Sequence, residues 1–383
     1  MTAISPPASV VPGRLEQMST RIAFFIAGFG IAAWAPLVPY AKARAGLDEG
    51  TLGLLLLCLG VGSILAMPLA GALASRFGIR RVTSGGTLLI CLALPLLATV
   101  SSIPLLMIAL FVFGAGLGTV DSCVNLQAVI VERASGKHMM SGFHGLFSLG
   151  GIVGAAGVSG LLGLGLSPLQ AMLVVVVVLI LALLKAGPHL LPYGSESSGP
   201  AFAIPHGVVL FIGTLCFVVF LAEGAALDWS AVFLSSERGL DEAYAGLGYA
   251  AFALTMTAGR LTGDAIVRRL GATRVIVFGG TLAAAGMLLA TWHPAWETAL
   301  LGYALLGAGC SNIVPVLYTA VGKQKIMPEH IAVPAITTLG YAGILAGPAA
   351  IGFIAHASTL STAFVLIAVL LGAVAVSGKV LKV

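Results

Sequence analysis

Charge is scarce in this 383-residue chain. Lys, Arg, Asp and Glu together make up 9%, against about 25% in an average soluble domain. Hydrophobic residues reach 59%, and a water-soluble protein of that balance could not cover its own surface. Cysteine is scarce as well. Cys58, Cys91, Cys123, Cys216 and Cys310 each fall inside an apolar run with no CxxC spacing, which argues for small apolar filler and against a metal centre or a disulfide framework. No GxxxxGKS/T stretch, no HExxH and no triad-like pattern is found, so ATP-driven transport and enzymatic activity are not expected. No apolar core precedes Arg21, and residues 1–20 therefore read as a short cytoplasmic tail with no cleavable signal.

What is present is length of apolar sequence. Runs recur at roughly 21–41, 50–75, 82–101, 103–131, 140–165, 168–186, 206–234, 243–267, 275–292, 297–321, 331–356 and 359–377. Most come close to the ~20 residues that a helix needs to cross ~30 Å of hydrocarbon. An all-α membrane protein with twelve transmembrane helices is expected. With the N-terminus inside, sixteen of the 19 Lys and Arg fall on one side, and only Lys42, Arg44 and Arg238 on the other. Excess Lys and Arg keeps short loops cytoplasmic, so both termini are placed there. The net charge of +5 is then a topology signal, and no nucleic-acid partner is expected. The bilayer and a small molecule are the expected partners of a monomeric chain.

The longest break runs from Pro188 to Pro205 and is rich in Pro, Gly and Ser, as exposed linkers are. It separates a first bundle, 21–187, from a second, 206–383, which ends in a short cytoplasmic tail. Sliding one half onto the other by about 190 residues aligns several features. Arg76-Phe-Gly78 with Arg80, Arg81 and Val82 matches Arg269-Leu-Gly271 with Arg274 and Val275; Gly114 and Gly116 match Gly307 and Gly309; Gly151 and Gly160 match Gly343 and Gly352. Parallel repeats of this kind place a substrate site between the halves near mid-membrane.

On these residues the chain resembles the major facilitator superfamily over 20–380. The family's loop after the second helix carries a Gly, then Asp-Arg, then Gly and a basic pair. Here Gly71 to Arg81 keeps the frame, with Ser75 where the family usually has Asp, and Gly259 to Gly271 is a second-half relative. More narrowly, Asp121 to Asn125 with Glu132, Phe143-His144 to Gly151, and Glu223 to Trp229 resemble the YbjJ-type bacterial inner-membrane carriers, which are akin to sugar permeases. The resemblance implies two pseudo-symmetric six-helix bundles, helices 1, 4, 7 and 10 around a central cavity, and a multi-pass protein of the bacterial inner membrane. It also implies that Arg76, Arg80 and Arg81 belong to the charge set that gates the cytoplasmic side.

Four of the 14 acids lie inside the apolar runs: Asp121, Glu223, Asp228 and Asp264. An ionised group in hydrocarbon costs roughly 2.5–3.5 kcal/mol even on lenient scales, so each needs a wet cavity or a partner. Asp121, Asn125 and Glu132 share a helical face and read as a polar stripe along a translocation path, or else as an interhelical seam. Glu223, followed by Gly224-Ala225-Ala226, reads as a lone mid-membrane acid that carries the coupled proton, since burial favours the neutral form of a carboxyl group. Asp228 beside Trp229 divides between a site role and an interfacial one. Arg260 and Asp264, one turn apart, read as a structural ion pair. His144 and Ser148, Trp34, Gln127, Asn312, Tyr318, Thr337 and Tyr341 supply hydroxyl, amide and aromatic groups suited to a small polar solute. These residues lead to a secondary transporter of a sugar or organic acid, driven by a proton gradient with no cofactor and no metal, the bundle 21–187 rocking against 206–377. A drug or metabolite antiporter and a transport-inactive sensor or scaffold are the alternatives.

Overall fold

A computed structural model describes residues 12–47, 49–194, 203–241, 244–379 and 381. Residues 1–11 of the expected tail and 195–202 of the expected linker lie outside the described residues. Fourteen α-helices, and no strand among the described residues, carry the apolar runs. They are α1 (Arg14–Trp34), α2 (Val38–Ala45), α3 (Glu49–Phe77), α4 (Ile79–Thr99), α5 (Ile103–Ser135), α6 (Met140–Gly163), α7 (Pro168–Ala186), α8 (Gly207–Arg238), α9 (Leu247–Leu270), α10 (Ala272–Trp292), α11 (Trp296–Cys310), α12 (Ile313–Lys323), α13 (Glu329–Ala357) and α14 (Leu360–Ser377).

Fourteen helices make twelve spans because two spans are broken. A 3-10 turn, Ala35–Leu37, joins α1 to α2, with Pro36 and Pro39 at the break, where their missing N–H groups interrupt the helical ladder. The tenth span breaks at Ser311 and Asn312, between α11 and α12. Among the described residues, eleven spans are long and apolar enough to cross a membrane. The remaining one, α9, falls short because it carries Arg260 and Asp264 as well as Arg268 and Arg269.

The repeat seen in sequence is a repeat of contacts. Gly114 of α5 faces the Leu59 carbonyl of α3, and Gly307 of α11 faces the Phe252 carbonyl of α9. Gly150 of α6, one residue before the Gly151 matched in sequence, faces the Phe25 carbonyl of α1, and Gly343 of α13 faces that of Phe217 in α8. Each pair recurs at the same offset of about 190 residues, and each brings two helix backbones together without an intervening side chain. The hinge glycines repeat as well: Gly78 and Gly271, both at positive φ, turn the chain from α3 into α4 and from α9 into α10. The pairwise packing sorts α1–α7 into one six-span bundle and α8–α14 into another.

The two arginines on the charge-poor side have a structural reason to be there. Arg44 donates to the carbonyls of Leu97, Ala98 and Val100 at 2.7, 2.8 and 3.1 Å, closing the C-terminal end of α4. Arg238 does the same for α10, through Ala290 at 3.2 Å and Thr291 at 2.8 Å. A cation at a helix C-terminus meets the negative end of the helix dipole. Arg44→Ala and Arg238→Ala should therefore each lower stability by about 1 kcal/mol, and the double variant by nearly the sum. Denaturant unfolding in detergent checks this.

The expected linker is shorter than its composition suggested. Leu190 and Leu191 are fully buried. Arg80 donates to the Leu190 carbonyl at 2.9 Å and to the Pro188 carbonyl. The amide of Leu191 donates to Gln127 Oε1 at 3.0 Å, and Gln127 in turn donates to Thr20. Residues 187–194 are thus bound into the first bundle, because two leucines there are worth burying.

The bundles meet through α3–α13, α6–α9, α5–α13, α5–α12 and α6–α12. Named contacts such as Gly71 with His330, Gly145 with Leu261 and Gly322 with Val129 lie in the inner half of these helices, on the Lys- and Arg-rich side. That side is closed.

Candidate functional site

Glu223 sits in the middle of α8, with Gly224, Ala225 and Ala226 buried behind it. Its side chain keeps 23% exposure. It is not a lone acid: Arg260 of α9 reaches its Oε2 at 3.6 Å and donates to Ser148 Oγ of α6 at 2.8 Å. A carboxylate and a guanidinium of the second bundle are thereby tied to a hydroxyl of the first. The ion pair expected between Arg260 and Asp264 does not form. A buried cation needs a counter-ion, and Arg260 takes the one across the α8–α9 seam. Asp264 turns instead to the unsatisfied N–H groups at the start of α6.

A second acid approaches from the first bundle. Asp121 is buried in α5, and Asn125 one turn on donates to the Asp121 carbonyl at 2.9 Å while its own Oδ1 has no partner. Asp121 lies within electrostatic reach of Tyr318 of α12 and Tyr341 of α13. Tyr341 is also within electrostatic reach of Glu223. Tyr318 exchanges a 2.7 Å hydrogen bond with Thr337 and lies with its ring centroid 5.4 Å from that of His144. His144 packs on Phe24 at 5.2 Å, within reach of Arg260, and its Nε2 is buried without a partner. Glu223 and Arg260 of the second bundle thus meet Ser148 of the first, and Asp121, Asn125, His144 and Tyr341 lie on the neighbouring helices α5, α6 and α13.

Other expected site residues lie elsewhere. Asn312 fills the break of the tenth span and donates to the Gly259 carbonyl at 3.0 Å, pressed against Gly263, so it fastens α12 to α9 within the second bundle. Trp34 is buried at the end of α1, its indole N–H without a partner. Asp228 is exposed, within reach of Tyr249. Trp229 packs against Gly352 of α13.

Nearer the basic side lies a cluster of polar contacts that joins the bundles. Glu132, at the end of α5, accepts from the amides of Met139 and Met140, both at 2.7 Å, capping α6 from its own bundle, and from the Thr319 hydroxyl of the other. Asp264 accepts from the Gly142 amide at 3.1 Å, capping the same helix from the opposite bundle. Two carboxylates from opposite halves so share one helix N-terminus, where the dipole favours negative charge. At the position equivalent to Asp264 the first bundle has Gly71, and there α3 lies directly on α13. Ser75 bonds only to the Ala72 carbonyl of its own helix.

Arg133 meets Glu329 with both guanidinium nitrogens and also donates to the Gly322 carbonyl at 3.3 Å. In the sequence, opposite signs at the end of one span and the start of another are the available signal. Among the signature arginines, Arg80 acts within its own bundle, Arg76 lies over Phe77 at 5.2 Å, and Arg81 is exposed. Arg133→Glu sets a negative charge against Glu329 and Glu132. It should raise the open fraction of the basic side about fivefold, a shift of ~1 kcal/mol, small because Arg133 is largely solvated. Distances between spin labels on α5 and α13 report it, and the swap Arg133→Glu with Glu329→Arg should restore closure.

Comparison with known proteins fits this architecture. The family model of the Major Facilitator Superfamily matches residues 21–222. An uncharacterized MFS-type transporter of Yersinia pestis is 56% identical, covering 97% of each chain. Among solved structures, a variant of the Escherichia coli fucose:proton symporter superposes with a TM-score of 0.81 at 16% identity, covering 96% of this chain and 98% of that one. The human organic anion transporter MFSD10 gives 0.75 at 16% identity, covering 99% and 100%. At such identities the likeness is one of fold.

Proposed function

The chain belongs to the major facilitator superfamily, and on that footing we propose that it is a proton-coupled secondary transporter of a small polar solute, of the sugar or organic acid class, in the bacterial inner membrane. One observation carries the reading: Glu223 of the second bundle lies 3.6 Å from the buried Arg260, which donates to Ser148 of the first, so a charged pair sits at the seam between bundles. Acids inside a membrane are costly and persist at ion and substrate paths. The surrounding hydroxyl, amide and imidazole groups offer hydrogen bonds to a polar solute, and Glu223, partly exposed, is the group placed to take up and release the proton. Two bundles that touch through a set of polar gate contacts suit alternating access. The fucose:proton symporter and the organic anion transporter that share this fold lend support to the two solute classes.

The test uses purified protein in proteoliposomes. A thermal-shift panel of sugars, polyols and organic acids selects ligands, because a bound ligand stabilises the state that binds it. An inward proton gradient should then drive uptake of a selected solute above its outside concentration, and a protonophore should abolish it. Uptake indifferent to both would remove proton coupling.

A further inference from the structure

Arg260 is buried, yet its guanidinium is poorly served. Of its five N–H donors, the structure commits one group to Ser148 at 2.8 Å and sets another 3.6 Å from Glu223, too long for a hydrogen bond, while Nε has no partner. Glu223 Oε2 is likewise without a hydrogen bond. Among the described residues no other carboxylate lies within ion-pair distance of Arg260. The ionisable groups around it are His144 of α6, Tyr249 of α9 and Cys310 of α11, with Tyr341 of α13 and Asp228 of α8 facing Glu223 or Tyr249. None of these is an anion paired with Arg260.

A buried cation stripped of its counter-ion is strongly unfavourable. When Glu223 takes a proton, Arg260 loses its only counter-ion. A neutral solute would leave that charge stranded, whereas an arriving carboxylate replaces what protonation removes, and the guanidinium fork suits a carboxylate in bidentate fashion. We infer that the transported solute is a small hydroxylated monocarboxylate, whose carboxylate takes the place of Glu223 on Arg260 as Glu223 takes up the proton. This rests on the reading of Glu223 as the proton site. One buried arginine paired with a single acid, Glu223, matches a single carboxylate and disfavours a dianion. The unpartnered Asn125 Oδ1 and His144 Nε2 offer an acceptor and a further hydrogen-bonding atom to solute hydroxyls.

Anion binding and proton uptake are then linked, and linkage sets the sign. Wherever Glu223 is ionised in the empty protein, each unit rise in pH should weaken carboxylate binding about tenfold. The experiment measures affinities of gluconate and glycerate from pH 5.5 to 8, with D-glucitol and glycerol as counterparts in which CH2OH replaces the carboxylate. The carboxylates should bind with the tenfold slope and the polyols at least tenfold more weakly. Glu223→Gln should flatten the slope, because Arg260 is then always vacant, with carboxylate affinity at or above the level the native protein shows at pH 5.5. A merely structural Glu223 would not remove the slope. Polyols binding as well as their acids, carboxylate binding with no pH slope, or no binding of either carboxylate would overturn the inference. Gradient-driven uptake of a neutral sugar would leave the proposed function standing and sink this inference. A sloped carboxylate affinity without gradient-driven uptake would do the reverse.

Discussion

Glu223→Gln should reduce proton-driven accumulation to equilibration. A 1:1 proton carrier can concentrate its solute about tenfold for each pH unit of gradient, since one unit corresponds to ~1.4 kcal/mol. Gln keeps the shape and the hydrogen-bonding atoms of Glu but cannot carry a proton. The change leaves the packing of Gly224, Ala225 and Ala226 untouched but removes the counter-ion of Arg260, so the variant should be less stable, and transport is compared on equal amounts of folded protein. Exchange of labelled for unlabelled solute needs only alternating access of the loaded carrier and should persist. The expected result is therefore a ratio of inside to outside solute near one at any imposed pH gradient, with exchange retained. A variant that still concentrates solute with an unchanged pH profile would remove Glu223 from the coupling, and Asp121 would take its place as the candidate.

Gly114→Val should all but prevent folding, whereas Gly157→Val should be nearly silent. A Cβ at Gly114 would stand 2.0 Å from the Leu59 carbonyl oxygen, which belongs to the backbone of α3 and cannot rotate away. Overpacking ordinarily costs ~1–3 kcal/mol, and here two helices must separate, so a loss of at least ~3 kcal/mol is expected. Gly307, facing Phe252 in the second bundle, should behave alike. At Gly157 a Cβ would meet nothing within 4 Å, and a change within ~0.5 kcal/mol is expected. Folded yield and unfolding midpoint in detergent compare the variants. Equal loss at Gly114 and Gly157 would mean that glycine acts there through helix flexibility and not through close approach.

The fold was legible because membrane insertion leaves its marks in one dimension. Apolar length gives the spans, and the charge split gives their direction. The offset shared by Gly78 with Gly271 and by Gly114 with Gly307 gives the repeat. Even the exceptions, Arg44 and Arg238, prove to be a repeated pair of helix caps. The site was legible only in its parts. Asp121 and Glu223 stand out in any apolar run, but which side chain meets them depends on how helices far apart in sequence are rotated and staggered. Spacing along one helix allowed Arg260 and Asp264 to pair, and nothing in that spacing shows that Glu223, 37 positions earlier, competes for the arginine. These contacts were hidden for the same reason: Arg133 and Glu329 lie at the ends of helices far apart in sequence, and Asp264 reaches the amide of Gly142 in the other bundle.

The most direct test of proton coupling runs the machine backwards. Proteoliposomes holding a pH-sensitive dye, with no initial pH gradient, are given a selected solute on the outside only. Coupling through one site is reciprocal, so the downhill solute should carry protons inward and acidify the lumen. The acidification should be abolished by protonophore and absent in Glu223→Gln, although that variant still exchanges solute. A lumen whose pH stays constant while labelled solute enters the native protein would contradict the account.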